Sequence, residues 1–191
     1  ANPTPIGEIN GIYHDGPATF SSKGDTMYFT RNNYVKKKVQ KSSEDVVDLK
    51  IYRVIKKDTS WTGITEFEYN SKEYSTGHPT LNGDGTKMYF VSDMPGGLGG
   101  TDIYMVERMN NTWSKPVNLG PNINTPYNEM FPMIWKDSIL YFSSEGHYNM
   151  GGLDIFYSGK DQNSWKEARN MGYPLNTSFD DFGVALNDSG T

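Results

Sequence analysis

The sequence contains no cysteine, which excludes a disulfide framework and any metal centre built on thiolates. It has no run of about 18 apolar residues, so we expect no membrane-spanning helix. Basic residues are in the minority, with 18 Lys and Arg against 23 Asp and Glu, and the formal net charge is −5. This balance argues against a broad nucleic-acid-binding surface. The lack of cysteine does not decide the cellular compartment.

The residues that are abundant favour strands and turns over long helices. Aromatic residues make up 14% of the chain, and there are 20 Gly and 10 Pro. Aromatic side chains are enriched in β-strands, whereas Gly and Pro are typical of turns. The length of 191 residues is enough for one domain with a substantial core or for two very small ones.

A repeat of 52 residues runs through the chain. The tryptophans Trp61, Trp113 and Trp165 are evenly spaced, since 113 − 61 and 165 − 113 both give 52. The same step relates the Gly-Gly-x-Asp-Ile-aromatic segment at 99–104 to the one at 151–156. A fixed step of this length indicates one structural unit that occurs several times.

Each repeat consists of four short strand patterns separated by turn signals. In the second repeat, HPTL is followed by the turn NGDG, the strand TKMYFVSD, a glycine-rich hairpin, the strand TDIYMVER and a last segment TWSKPVNLG. One four-stranded meander per roughly 50 residues is typical of a β-propeller blade. A β-sandwich and a β-solenoid are the alternatives. A sandwich does not explain the fixed step, and a solenoid normally has shorter coils.

The sequence therefore predicts an all-β fold, a β-propeller of four-stranded antiparallel blades. We expect about three complete blades, at residues 12–67, 74–119 and 127–171, in a single propeller segment. The ends, 1–11 and 179–191, match parts of two further blades. Because a closed propeller takes about 4 to 8 blades, we expect the chain to be part of a larger ring or to be completed by a partner.

The hairpins that vary between repeats are the candidates for contact with a partner, because hairpins project from a blade and tolerate insertions. The first repeat carries a charged insertion at 31–49, and the other variable hairpins lie at 93–99 and 145–150. The candidate contact residues are Lys36, Lys37, Lys38, Lys41, Asp93, Met94, Leu98, His147 and Tyr148.

The repeated residues have structural interpretations. Asp102 and Asp154 follow glycine pairs, and we expect each carboxylate to accept N–H groups of its turn. A cation site that adds Asp93 or Glu145 is the alternative, but it falls short of the about 6 to 8 oxygen ligands that Ca²⁺ takes. The repeated tryptophans are predicted to pack between blades, with sugar stacking as the alternative.

The glycine pairs Gly99-Gly100 and Gly151-Gly152 are flanked by strand patterns. A phosphate-binding loop needs a helix N-terminus behind its glycines, so this function is not expected. We predict instead that these glycines are turn residues with positive φ.

No catalytic constellation is recognisable. The chain has no Gly-x-Ser-x-Gly motif and no sialidase Asp-box. Glu129, Asp180 and Asp181 lie in linkers, near where a propeller glycosidase would place its carboxylates, but contacts within the linkers are expected. His14 and His78 occupy similar repeat positions without an evident third metal ligand. The sequence therefore predicts no enzyme, no cofactor and no metal.

The repeat resembles the WD-like β-propeller repeat of the TolB type. The resemblance is carried by Pro79, Asp84-Gly85, the Tyr-Phe-x-Ser segment 89–92 and the Gly-Gly-x-Asp-Ile-Tyr segment 99–104. Together with the LG…IN linkers, the repeat also resembles the propellers of Bacteroidetes envelope proteins of the OmpA family, some of which act in type IX secretion. The first repeat departs from the pattern, with Val-Asp-Leu-Lys at 47–50 in place of Gly-Gly-x-Asp.

This resemblance implies a non-catalytic binding or scaffolding module with protein partners in the cell envelope. It further implies a periplasmic location in association with the outer membrane. A propeller glycosidase or carbohydrate-binding protein, and the gating propeller of a peptidase, are the alternative functions.

Overall fold

The computed structural model describes residues 9, 14–35, 38–110, 112–162, 164–186 and 190. This part of the chain consists of strands and connections, and it contains no helix long and apolar enough to cross a membrane. Of the predicted end segments, only Ile9, 179–186 and Gly190 are described, and none of these residues lies in a strand.

The first blade is an antiparallel sheet with the strand order β1-β2-β5-β6. Its strands are β1 (Asp15–Phe20), β2 (Thr26–Asn32), β5 (Leu49–Lys57) and β6 (Ser60–Glu66). The charged insertion between the second and third of these strands forms a small hairpin of its own, β3 (Tyr34–Val35) with β4 (Lys38–Val39).

The second and third blades share one plan, in which the outermost strand is split into two short pieces. The second blade contains β7 (Thr76–Leu81), β8 (Lys87–Ser92), β9 (Asp102–Met109), β10 (Thr112–Trp113) and β11 (Val117–Asn118). The third blade contains β12 (Glu129–Trp135), β13 (Ile139–Ser144), β14 (Asp154–Asp161), β15 (Ser164–Trp165) and β16 (Arg169–Asn170). Both outer pieces pair with the third strand, β9 or β14.

The blades meet at their first strands, since β7 contacts β1 on one side and β12 on the other. The backbone N–H of His78 donates to Thr30 Oγ1 (2.8 Å), and that of Leu81 donates to Thr19 Oγ1 (3.0 Å). Meanders that converge on their first strands are the architecture of a β-propeller.

Aromatic side chains fill the space between neighbouring blades. Trp113 of the second blade packs edge-on against Tyr28 of the first, with ring centroids 6.0 Å apart. Trp165 of the third blade packs in the same way against Tyr89 of the second, also at 6.0 Å. Trp61 of the first blade is partly buried against that blade's own core. Trp113 and Trp165 thus occupy equivalent packing positions between blades.

A repeated asparagine bonds the backbone of each third strand just beyond the end of the outer strand. The side chain of Asn124 accepts a hydrogen bond from the N–H of Ile103 (2.8 Å) and donates one to the carbonyl of the same residue (3.0 Å). The N–H of Ile103 is thereby satisfied one residue beyond the last pair of β9 and β11, and the Ile103 carbonyl also accepts the N–H of Leu119 (3.1 Å). The equivalent pairs are Asn70 with Ile51 and Asn176 with Ile155.

The predicted positive φ of the glycine pairs is wrong, because none of Gly99, Gly100, Gly151 and Gly152 lies in the left-handed region. These glycines are required by close approach instead. A Cβ on Gly99 would overlap the carbonyl oxygen of Thr125, and one on Gly151 would overlap a carbonyl of the following linker. Each glycine-rich hairpin can therefore lie directly against the linker that enters the next blade.

Candidate functional site: the hairpin face

One end of the blades carries both the glycine-rich hairpins and the linkers, because successive strands of a meander run in opposite directions. We call this end the hairpin face and the opposite end the turn face. Hairpin and linker are bonded directly, since the N–H of Gly100 donates to the carbonyl of Tyr127 (2.8 Å) and that of Glu145 to the carbonyl of Asn128 (3.0 Å). The hairpin face comprises the described hairpin residues 33–35, 38–48, 93–101 and 145–153 and the linkers 67–75, 119–128 and 171–180.

Buried aspartates fix the shape of two hairpins. Asp102 Oδ2 accepts hydrogen bonds from the N–H of Leu98 (2.5 Å) and from the side-chain amide of Asn118 (2.8 Å). Asp154 makes the corresponding two bonds in the third blade. Among the described residues, no group of three or more His, Asp and Glu side chains is placed to hold a metal ion.

The first blade replaces this aspartate by a cation. Lys50 occupies the repeat position of Asp102, and its Nζ lies 3.0 Å from Oε2 of Glu66. Glu66 in turn precedes Asn118 by one repeat of 52 residues. A lysine–glutamate pair therefore joins the third and fourth strands where the other blades use an aspartate–asparagine pair.

Several predicted contact residues project from the hairpin face, although Lys36 and Lys37 lie outside the described residues. Lys38 is exposed, and Lys41 is exposed and forms an ion pair with Asp45 (2.7 Å). Leu98 is about half exposed, and the side chain of Tyr148 is 96% exposed.

Three other predicted contact residues are engaged within the fold. Met94 packs against the core between the first and second blades. His147 Nε2 donates to the carbonyl of Ile123 (2.8 Å). Asp93 is exposed, and one of its oxygens accepts the N–H of Ser75 (2.6 Å).

Two exposed aromatic residues that share one repeat position in the linkers were not identified from the sequence. Tyr127 is 60% exposed and Phe179 is 77% exposed. They are separated by 179 − 127, which again gives 52, so the repeat step itself could have identified them. Tyr127 lies beside the third-blade hairpin at Gly146, and the backbone at Phe179 contacts Gly151 of the same hairpin. Further exposed apolar residues of the hairpin face are Val46, Met150, Tyr173 and Leu175.

The linker carboxylates that a glycosidase would use hold their own linkers instead. Glu129 is fully buried and accepts the N–H (2.8 Å) and hydroxyl (2.7 Å) of Thr125 and the hydroxyl of Ser144 (2.7 Å). Burial raises the pKa of Glu129 despite these bonds. Asp181 accepts equivalent bonds from its own linker, and Asp180 accepts the N–H of Leu153.

A stack of rings connects the first strands of the second and third blades with the segment that follows the third blade. The imidazole of His78 stacks on Phe131 (4.2 Å between centroids), and Phe131 stacks on Phe182 (5.0 Å). His78 Nδ1 accepts the N–H of Phe131 (3.3 Å), and burial lowers the pKa of His78 to about 4, so this imidazole is neutral near pH 7. Grooves of about 350 and 420 Å³ adjoin the stack. His14, the other histidine considered as a ligand, is exposed.

Solved structures with the same fold include two bacterial proteins. TolB from Acinetobacter baumannii matches with a TM-score of 0.59 and 14% sequence identity, over 92% of this chain and 35% of that chain. A puromycin-hydrolyzing peptidase of Mycobacterium tuberculosis matches with a TM-score of 0.54 and 16% identity, over 91% of this chain and 24% of that one. This chain thus spans only a minor part of either protein.

These likenesses show the fold alone and confirm the predicted all-β propeller. No family model matches the sequence, and comparison with curated proteins gives no significant match.

Proposed function

We propose that this propeller segment is a non-catalytic binding and scaffolding module that contacts protein partners through its hairpin face. The observation that carries the proposal is the concentration of exposed aromatic side chains on that face, namely Tyr148, Tyr173, Phe179 and Tyr127. Exposed patches of this kind mark interaction sites, and tyrosine is enriched among the residues that dominate interface energies. The rigid blades behind the loops supply a preorganised support.

We further propose that the module works in the envelope of a Bacteroidetes cell, in the periplasm and in association with the outer membrane. This part rests on the resemblance of the repeats to OmpA-family envelope proteins, the group to which the type IX secretion component PorE belongs. Fold likeness to TolB is compatible with the proposal but does not carry it, because fold does not imply function. The partners would be components of secretion or of peptidoglycan-associated assembly.

The test is a quantitative pull-down from cell-envelope extract with three baits. These are the unchanged chain, a hairpin-face variant (Tyr127→Ser, Tyr148→Ser and Phe179→Ser) and a turn-face control (Met109→Ser). Met109 is a suitable control because it is 60% exposed at the other end of the blades. We expect the chain and the control to enrich the same envelope proteins and the hairpin-face variant to lose them.

Absence of any enriched protein, or equal enrichment by all three baits, would contradict the proposal. Retention on peptidoglycan glycan without a protein partner would instead favour the carbohydrate-binding alternative. In that case turnover of glycan panels, compared between the chain and its Asp180→Asn variant, would separate binding from hydrolysis.

Likeness to the puromycin-hydrolyzing peptidase leaves the gating propeller of a peptidase as a second candidate. A gating propeller controls access to a catalytic domain on the same chain. An α/β-hydrolase domain encoded beside this propeller in the complete gene would favour that function over the scaffold.

A further inference from the structure

We propose that the hairpin face of the second and third blades docks a basic partner segment, whose arginine or lysine side chains lie over exposed aromatic rings and beside uncompensated carboxylates. This inference rests on the proposed binding function and specifies the chemistry of the partner. It is carried by the combination of exposed rings and charge at one end of two adjacent blades.

The rings form an aromatic row, which we define as Tyr127, Tyr148 and Phe179. Tyr127 and Phe179 occupy the same position of consecutive linkers, and the hairpin that carries Tyr148 lies between those linkers. A buried tyrosine normally packs its ring against other side chains and hydrogen-bonds its hydroxyl. Tyr148, in contrast, is 96% exposed. The faces of such rings are open to a cation.

The charge around the row is of one sign. The four segments 93–101, 119–129, 145–153 and 171–181 contain Asp and Glu but no Lys or Arg. Asp93, Glu145 and Asp180 are exposed at the rim, and in the described part of the chain none of them lies within 4.0 Å of a basic nitrogen.

The hydrogen bonds of these three carboxylates come from neutral donors, so they orient the charge without compensating it. The donors are the N–H of Ser75 (2.6 Å) to Asp93, the amide of Asn128 (2.7 Å) to Glu145 and the N–H of Leu153 (3.0 Å) to Asp180.

The first blade shows that the combination of exposed aromatic rings and uncompensated carboxylates is not a property of the fold itself. Its linker aromatic residue Tyr74 lies two residues before β7, as Tyr127 lies two residues before β12, but Tyr74 is half-buried and donates its hydroxyl to the carbonyl of Tyr69 (3.2 Å). The linker there contains Lys72, and the insertion adds further lysines. The first-blade linker thus mixes Lys72 with the exposed Glu68 and Glu73, and within the described ranges only the second and third blades combine exposed rings with charge of one sign.

A basic segment fits this surface better than a neutral one. A cation over an aromatic ring contributes about 0.5 to 2 kcal/mol, and guanidinium groups do so more often than ammonium groups. Complementary charge also speeds association and makes binding weaker at high salt. A neutral glycan would use the rings but would gain little from the carboxylates.

The experiment measures binding of fluorescein-labelled octa-arginine to the 191-residue chain by anisotropy, at about 50 and 200 mM salt. Octa-glutamate is the charge-reversed probe. A charge variant combines Asp93→Asn, Glu145→Gln and Asp180→Asn, in which the amide oxygens still accept the native hydrogen bonds. The matched control removes three exposed charges elsewhere, by Asp58→Asn, Asp161→Asn and Glu167→Gln. Tyr148→Ala tests the rings.

We expect octa-arginine to bind, with affinity at least about tenfold weaker in the charge variant at the lower salt concentration and about threefold to tenfold weaker in Tyr148→Ala. The control should stay within about twofold of the unchanged chain, and octa-glutamate should not bind. Equal losses in the charge variant and the control would show non-specific attraction and overturn the inference, as would absence of octa-arginine binding.

The two proposals fail separately. If an envelope partner is captured by the chain and lost by the hairpin-face variant but not by the charge variant, the binding function stands and the basic partner is wrong. If no envelope partner is captured, the binding function itself is wrong. Mixing of two labelled copies identifies self-association as the occupant, which would contradict a separate basic partner.

Discussion

The lysine–glutamate pair of the first blade offers a direct test of how the repeats substitute for one another. Lys50→Asp together with Glu66→Asn installs the residues that the second blade has at Asp102 and Asn118. Each single change should destabilise the protein, and the double change should recover part of the loss. The reason is that an aspartate–asparagine hydrogen bond can join the same two strands, as it does one repeat later.

The magnitude follows from the burial of the two partners. The side chain of Lys50 is 9% exposed and that of Glu66 is 46% exposed. Breaking a fully buried pair costs about 3–5 kcal/mol, but solvent screening at Glu66 reduces the cost of Glu66→Asn to about 1–2 kcal/mol. Lys50→Asp places two carboxylates together and should cost about 2–4 kcal/mol. With the double variant about 1–2 kcal/mol below the unchanged chain, the magnitude of the coupling energy is about 3 kcal/mol, with limits of about 1 and 5 kcal/mol.

Urea unfolding of the four proteins, monitored by tryptophan fluorescence, measures this coupling energy. The exposed pair Lys41 and Asp45 is the control, because its side chains are 47% and 82% exposed and its coupling should stay below about 0.5 kcal/mol. Additive effects at Lys50 and Glu66, within about 0.5 kcal/mol, would refute the equivalence of the two kinds of pair.

Three further predictions concern the glycine hairpins, the repeated asparagine and the buried histidine. Gly99→Ala should lower the free energy of unfolding in urea by about 2 kcal/mol or more, because the added Cβ overlaps the neighbouring linker. The control Gly159→Ala has open space around it and should change this free energy by less than about 0.5 kcal/mol. Equal costs would contradict the inference that Gly99 is required by the close approach of the linker. Asn124→Ala should cost about 1–3 kcal/mol by leaving the N–H of Ile103 unpaired, since the Ile103 carbonyl keeps its bond from the N–H of Leu119. A cost below about 0.5 kcal/mol would show that water replaces the side chain. The folded-state pKa of His78, about 4, lies below its ordinary value of 6.5, so its contribution to stability is present above pH 6.5 and is lost as the pH falls through 4. His78→Phe should therefore flatten the stability profile between these pH values, and an unchanged profile would assign it to other groups.

The repeat step carried most of the fold prediction. A strand can be recognised from a few neighbouring residues, and tryptophans at a fixed spacing show how many times the group of strands recurs. The propeller fold could therefore be predicted without a structure. The equivalence of Asp102 and Asp154 was also visible in the sequence, because identical local roles leave identical residues.

The sequence-based predictions were wrong, or could not be made, where contacts join segments that are distant in sequence. The conformation of Gly99 and Gly151 was wrong because adjacent glycines suggest a turn, while the actual constraint is a carbonyl about 27 residues away in the following linker. Lys50 and Glu66 could not be recognised as partners until β5 and β6 were paired. His147 and Met94, expected to project, are held by contacts that only packing reveals.

The sequence by itself determined the class of fold, the repeat length and the residue types that recur, because these depend on local periodicity and spacing. Only the tertiary structure decided which side chains remain exposed. Tyr148 and Tyr127 lie uncovered on the hairpin face, whereas Glu129 is buried under its own linker. Exposure depends on what the neighbouring blade covers, and that is set by the packing of blades rather than by any local pattern.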